Sequence, residues 1–279
     1  MYARASWPPR VVVLVAGTTV PVIAARRGDF PRWIGAHLLA ARLVAHTFHG
    51  SHGSPGGHPS SAELGRPLVR VAVRDLRGSA PLPGPRDADA FIITGSSSSV
   101  TERAPWMLRA EHLVRSIVAA RVPLLGICFG HQLVAQALGG HVARNPRGRE
   151  IGTVRLQRIA DDPLFAGLPR VVDVNATHVD SVVRLPPGAE ILGMTALEPV
   201  AAFRVGRSVS AVQFHPEFDA DVMRAYLRAR AHLIREEGGD PAALLARVHE
   251  GTRGADMLHN FARGLGRASG AAAGGRTQP

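Results

Sequence analysis

The run Val122-Pro123-Leu124-Leu125-Gly126-Ile127-Cys128-Phe129-Gly130-His131-Gln132 constrains this chain more than any other segment. An apolar stretch ends in a turn with glycine two places before and two places after Cys128. His131 to Leu138 then read as a helix stopped by Gly139-Gly140. Glycines at those spacings fit a sharp elbow that lifts a nucleophile from a buried strand into the open. Amides at a helix start favour negative charge, so the sulfur is placed to work as a thiolate. Taken alone, the segment fits equally well a small buried hydrophobe, the ordinary state of a lone cysteine.

A second segment, Val212-Gln213-Phe214-His215-Pro216-Glu217, decides between the two. Alternation through Ala211-Val212-Gln213-Phe214 predicts a strand, and Pro216 ends it. His215 and Glu217 are two apart on extended chain, so both side chains can lie on one side. Glu217 can then hold one imidazole nitrogen while the other faces the sulfur, as in a nucleophile, base and orienting-acid triad. With thirteen histidines in the chain, His-Pro-Glu alone is weak, but in this order after the elbow it carries weight.

Together these motifs resemble a class I glutamine amidotransferase domain, in particular the glutaminase domain of GMP synthase and its stand-alone relatives. Further segments agree: Gly28-Asp29-Phe30-Pro31, Phe91-Ile92-Ile93-Thr94-Gly95-Ser96, Glu150-Ile151-Gly152-Thr153, Thr177-His178-Val179-Asp180-Ser181-Val182 and Leu185-Pro186-Pro187-Gly188-Ala189. The resemblance implies that Cys128 attacks the side-chain carboxamide of glutamine, or another γ-glutamyl group, to form a thioester. His215 would pass a proton to the departing ammonia and then activate water, with Glu217 orienting it. An oxyanion hole is implied at Gly95, Ser96 and Phe129. Such donors are worth about 3–4 kcal/mol each. Gln132, His178 and Asp180 are implied substrate contacts, although Asp180 fits equally a local backbone cap. Glu150 fits a supporting role beneath the elbow. No cofactor and no metal is implied.

The implied fold is a doubly wound α/β domain, its mainly parallel sheet flanked by helices and carrying a small antiparallel excursion, flavodoxin-like in type. Alternating strand-like and helix-like segments predict the same architecture. Strands are expected at Val11–Gly17, Leu68–Val73 and Ala90–Thr94, and helices from Arg32 to about Phe48 and from Trp106 to Ala120. Short strands and turns are expected from about Val142 to Val205. Asp219 is expected to cap a helix that turns Val222, Met223, Tyr226, Leu227, Leu233 and Ile234 inward. Asp240-Pro241 should start another, and a last short helix runs through Met257 to Phe261. The expected organisation is an extension over 1–10 and an amidotransferase domain over 11–238, with a flexible insertion at 49–67. A helical extension follows over 239–263, then a disordered tail over 264–279. The three histidines of the insertion, His49, His52 and His58, have nothing to pin them into a metal site.

The chain has 279 residues, 33 basic against 22 acidic, a net charge of +11, and no lysine. The arginines are scattered among acidic and apolar residues without interleaved aromatics, so nucleic-acid binding is not expected. One cysteine excludes an internal disulfide and a multi-thiolate metal site, and suits a reducing compartment. Arg4 and Arg10 before Val11–Gly17 mimic a signal peptide, but the run breaks at Gly17-Thr18-Thr19 and is read as a first buried strand. No stretch approaches the ~20 apolar residues that cross a membrane. The expected location is the cytoplasm. After Glu217 there is no glycine-rich phosphate loop and no synthase-like segment. Three readings stay open: a free-standing glutaminase, a subunit active only on a separate synthase, and a γ-glutamyl peptidase.

Overall fold

The structure is a computed structural model; it describes residues 8–41 and 67–273, with side chains through 265. Eleven strands run β1 Arg10–Val15, β2 Arg70–Asp75, β3 Ala90–Ile93, β4 Leu124–Ile127, β5 His141–Arg144, β6 Glu150–Arg158, β7 Val171–His178, β8 Asp180–Arg184, β9 Ala189–Met194, β10 Ala202–Val205 and β11 Val209–Val212. The helices are α1 Pro21–Arg27, α2 Phe30–Ala40, α3 Pro105–Ala119, α4 Phe129–Ala137, α5 Ala220–Ala229, α6 Ala231–Glu236, α7 Pro241–Ala246 and α8 Gly254–Ala273.

Nine strands form one sheet in the order β2-β1-β3-β4-β11-β10-β9-β6-β7, and β5 pairs with β8 apart from it. From β2 to β11 the pairings are parallel; from β11 through β10, β9, β6 and β7 they are antiparallel. The expected doubly wound α/β class and its antiparallel excursion are therefore both present. Strand alternation sorts side chains to two faces. Val11, Val13, Ile92, Leu125 and Ile127 pack with residues of α2, α5 and α8. Val12, Leu14, Phe91, Ile93 and Leu124 pack with α3 and α4 on the other face. Because both faces are covered, β1, β3 and β4 are near-continuous apolar runs, as buried parallel strands must be.

The caps fall where the sequence puts them: Asp219 accepts from the Val222 amide and Asp240 from the Ala242 amide. Each such cap is worth about 1 kcal/mol. Four details differ from expectation. Helix α2 starts at Phe30 because Asp29 accepts from the Phe30 amide and Pro31 sits in the first turn; its expected far end lies outside the described residues, as does the histidine insertion. Pro21 opens α1, a helix too short to show a periodic pattern. The helix after Asp219 breaks at Arg230, so Leu233 is only half-buried rather than core. Helix α8 continues to Ala273, past Gly264, where a disordered tail was expected; its alanines favour helix, and Leu258, Ala262 and Leu265 anchor it in the core.

The elbow exists because backbone meets backbone. A Cβ on Gly126 would lie 2.6 Å from the Gly130 carbonyl oxygen, and a Cβ on Gly130 would lie 2.5 Å from the Ile93 carbonyl oxygen. Gly130→Ala is therefore expected to cost about 1–3 kcal/mol through overpacking, more than an Ala substitution at Gly264 in α8, where there is open space and no positive φ. Chemical denaturation of both variants measures the difference.

Candidate active site

The loops leaving the C-terminal ends of β1, β3, β4 and β11 converge, as ligand sites do in open α/β sheets. They line a cavity of about 540 Å³ that includes Thr18, Thr19, Ser96, Cys128, Gln132 and His215.

Cys128 is the residue before α4, with φ 52° and ψ −102°. This is a positive φ that only glycine adopts without strain, and its cost is of order 1–3 kcal/mol. Its amide donates to the Val212 carbonyl at 2.8 Å, tying β4 to β11, and Sγ lies 3.8 Å from the Thr177 carbonyl. The thiol is 6% exposed.

His215 Nδ1 and Glu217 Oε1 are 2.8 Å apart, and the ring lines the same cavity as Cys128. With Nδ1 taken, Nε2 is left for the sulfur. The segment is clamped from β7: the His215 amide donates to the Asn175 carbonyl at 2.7 Å, and Asn175 Nδ2 donates to the Phe218 carbonyl at 3.0 Å. Phe218 stacks on the imidazole at 4.1 Å, and Phe30 lies nearly parallel at 5.8 Å. Burial opposes a charge on His215, but the Glu217 carboxylate first and Cys128 second outweigh it and raise its pKa from 6.5 to about 10. Glu217 Oε2 is buried with no hydrogen-bond partner, so the carboxylate leans on the imidazolium for compensation.

Gly95 faces the catalytic-type pair: a Cβ there would lie 2.7 Å from His215 Cε1. Its carbonyl accepts from Thr94 Oγ1 at 2.9 Å, and Thr94 Oγ1 also accepts from the Ala16 amide. Ser96 packs on Gly17, where a Cβ would meet Ser96 Cα at 2.6 Å. Phe129 is the first residue of α4, so its amide has no intrahelical partner.

Gln132 lines the cavity, and its Nε2 donates to the Asp180 carbonyl and to Gln213 Oε1, each at 3.0 Å. Its carbonyl oxygen is the polar group it has left to offer. The Asp180 carboxylate accepts from Ser99 Oγ at the cavity wall. His178 also lines the cavity, but both ring nitrogens have protein partners: the Asp180 carbonyl at 3.0 Å and Glu150 Oε2 at 3.1 Å. Glu150 accepts in addition from Thr195 Oγ1 at 2.6 Å, and so braces His178. Behind it Glu198 accepts from Ser181 and the Val200 amide, and burial pushes its carboxyl up despite the nearby His178. His131 of the elbow motif packs on Phe203 in the core instead.

The structure thus brings Cys128, His215, Glu217, Gly95, Ser96, Phe129, Gln132, His178 and Asp180 to one place. Sequence reasoning singled out neither Asn175 and Phe218, which hold His215, nor Tyr226, whose hydroxyl is 2.6 Å from Thr19 Oγ1, nor Arg149 and Arg230 at the rim. Aromatic residues just after the motif were the available signal for Phe218; nothing local marks the others.

The fold and site together define a doubly wound α/β protein with a cysteine on a strained elbow and a carboxylate-held histidine nearby. The profile of the family described as glutamine amidotransferase class-I matches residues 69–232, and the chain belongs to that family. It is 37% identical over 202 residues to a GMP synthase [glutamine-hydrolyzing] of Parafrankia, covering 63% of this chain and 36% of that protein. It is 30% identical over 140 residues to gamma-glutamyl peptidase 4 of Arabidopsis thaliana, covering 48% of this chain and 56% of that one. The chain spans little more than half, or less, of these curated relatives. In fold it superimposes on a glutamine amidotransferase of Methylobacillus flagellatus with a TM-score of 0.65 at 21% identity, covering 95% of this chain and 96% of that one. No helix among the described residues is long and apolar enough to cross a membrane.

Two outcomes are expected. In Cys128→Gly and Cys128→Ala, which both lose the sulfur, the glycine variant should be the more stable in urea denaturation, reversing the usual order because φ 52° suits glycine. His215 should remain an imidazolium at pH 8 by NMR, and Glu217→Gln should lower its pKa, since burial then acts with less opposition. Because the folded pKa is raised, the associated stability is complete below pH 6.5 and is lost as pH rises through about 10.

Proposed function

We propose that this protein is a cysteine-nucleophile amidohydrolase that cleaves the γ-carboxamide of glutamine, or a γ-glutamyl bond, and releases the amine. The observation that carries this reading is one imidazole held at 2.8 Å by a buried carboxylate, lining the same cavity as a cysteine on a strained elbow.

The Cys128 thiolate adds to the γ-carbonyl carbon, and the oxygen becomes an oxyanion. The Phe129 amide and those of Gly95-Ser96 are the proposed donors to it, with glycine at 95 letting the backbone come close. The C–N bond breaks as His215, already protonated, gives its Nε2 proton to the leaving nitrogen. The neutral imidazole then takes a proton from water, whose oxygen attacks the thioester; glutamate leaves and the thiolate is restored beside an imidazolium. Glu217 keeps the ring oriented and stabilises its charge. Gln132 and Asp180 are the proposed contacts for the amino-acid end, with His178 acting as the braced wall that positions Asp180.

The partial alignment with a GMP synthase supports a second reading, in which the same chemistry is switched on by docking to a separate synthase subunit. Ammonia release from L-glutamine by the purified protein tests the first. Cys128→Ala should lower it by on the order of 10⁶, and Glu217→Gln by a smaller factor, on the order of 10²–10⁴. Wild-type rates in Cys128→Ala would overturn the assignment. Silence that ends only when a synthase is added would favour the second reading.

A further inference from the structure

The residues that line the cavity of about 540 Å³ fall into two groups of different chemistry. One group is Gln132, Ser99 and Asp180, all polar and linked by hydrogen bonds. The second group is joined to the imidazole by a chain of contacts. Phe218 stacks on His215 and packs against Tyr226 at 4.9 Å, and Tyr226 is pinned to Thr19. One turn after Tyr226 the α5–α6 helix breaks at Arg230, whose amide donates to the Tyr226 carbonyl at 2.9 Å. The Arg230 side chain is half-buried, lines the cavity, and forms no ion pair or hydrogen bond with any described residue. Val20, Pro21 and Leu233 complete that group with apolar surface.

The contrast with the other rim cation is informative. Arg149 is bound bidentately by Glu237, at 2.7 and 3.0 Å, and its charge is spent within the protein. Arg230 stands at the helix break, without a carboxylate partner among the described residues. A departing ammonia molecule needs neither an apolar wall nor a fixed cation. A departing amino acid needs both: room for its side chain, and a guanidinium, which binds a carboxylate in a planar two-point contact.

We propose that Arg230 forms a leaving-group subsite for a carboxylate, so that the preferred donors are γ-glutamyl amino acids or γ-glutamyl peptides. This rests on the catalytic reading above and deepens it. The bond changes are those already given: the γ-carbonyl carbon to nitrogen bond breaks, the His215 proton goes to the amine of the leaving amino acid, and water supplies the oxygen that frees glutamate. Arg230 acts as a positioning and specificity residue and exchanges no proton.

The test compares kcat/KM for γ-glutamylglycine, for γ-glutamylmethylamide, which lacks the carboxylate, and for L-glutamine, following the released amine. Wild-type protein should favour γ-glutamylglycine over the methylamide by about tenfold or more, the scale of one hydrogen-bonded charge contact. Arg230→Gln should lower that ratio about tenfold, mainly through KM for the dipeptide, and Arg230→Lys should restore part of it. Matching thermal melts of the three proteins would tie the change to recognition rather than folding. A ratio near one in the wild type, or a ratio unmoved by Arg230→Gln, overturns the subsite while leaving the catalytic reading in place. Turnover of all three donors that persists in Cys128→Ala overturns the catalytic reading, and this proposal with it.

Discussion

Everything at this site depends on three backbone segments pressed to contact. Gly126 and Gly130 let the first turn of α4 sit directly on the ends of β4 and β3, where any side chain would intrude. That contact forces Cys128 to a φ of 52°, a conformation the surrounding structure must over-determine to maintain. Its amide bond to Val212 then fixes the distance between the elbow strand and the strand that delivers His215. The strain buys a sulfur that is exposed to a cavity, next to a helix start and opposite an imidazole.

The second dependence is electrostatic. His215 and Glu217 are both almost wholly buried, which would be costly for either charge alone. Their 2.8 Å contact makes each charge the condition for the other. Around them the stack of Phe30, Phe218 and the imidazole supplies shape without competing donors. A parallel economy operates behind the cavity, where Glu150, His178, Glu198, Thr195 and Ser181 satisfy one another and hold the Asp180 backbone.

Legibility in the sequence followed the range of the interactions. The elbow, the strand ending at Pro216 and the caps at Asp219 and Asp240 were readable because each is decided by residues a few places apart. The continuation of α8 past Gly264 was not, because a Gly- and Ala-rich segment becomes helix only when Leu258, Ala262 and Leu265 have a core to enter. Leu233 was read as core from helical spacing, but the break at Arg230 rotates it to the cavity rim. His178 was legible as a resident of the site; that its two nitrogens are taken by Asp180 and Glu150 was not, since Glu150 lies on another strand.

By itself the sequence determined the chemical cast: one thiol on a glycine-flanked elbow, one histidine two residues from a glutamate, and an alternation of apolar strands and helices that admits a doubly wound sheet. These follow from local sterics and periodicity. The tertiary structure alone decided which groups face one another. The parallel pairing of β4 with β11 sets the Cys128 elbow beside the segment bearing His215, though 87 positions separate the two. The return of β7 clamps that segment through Asn175, and the packing of α5 and α6 leaves Arg230 without a carboxylate partner among the described residues while Glu237 takes Arg149. Such pairings depend on where whole elements dock, and no short stretch of chain carries that information.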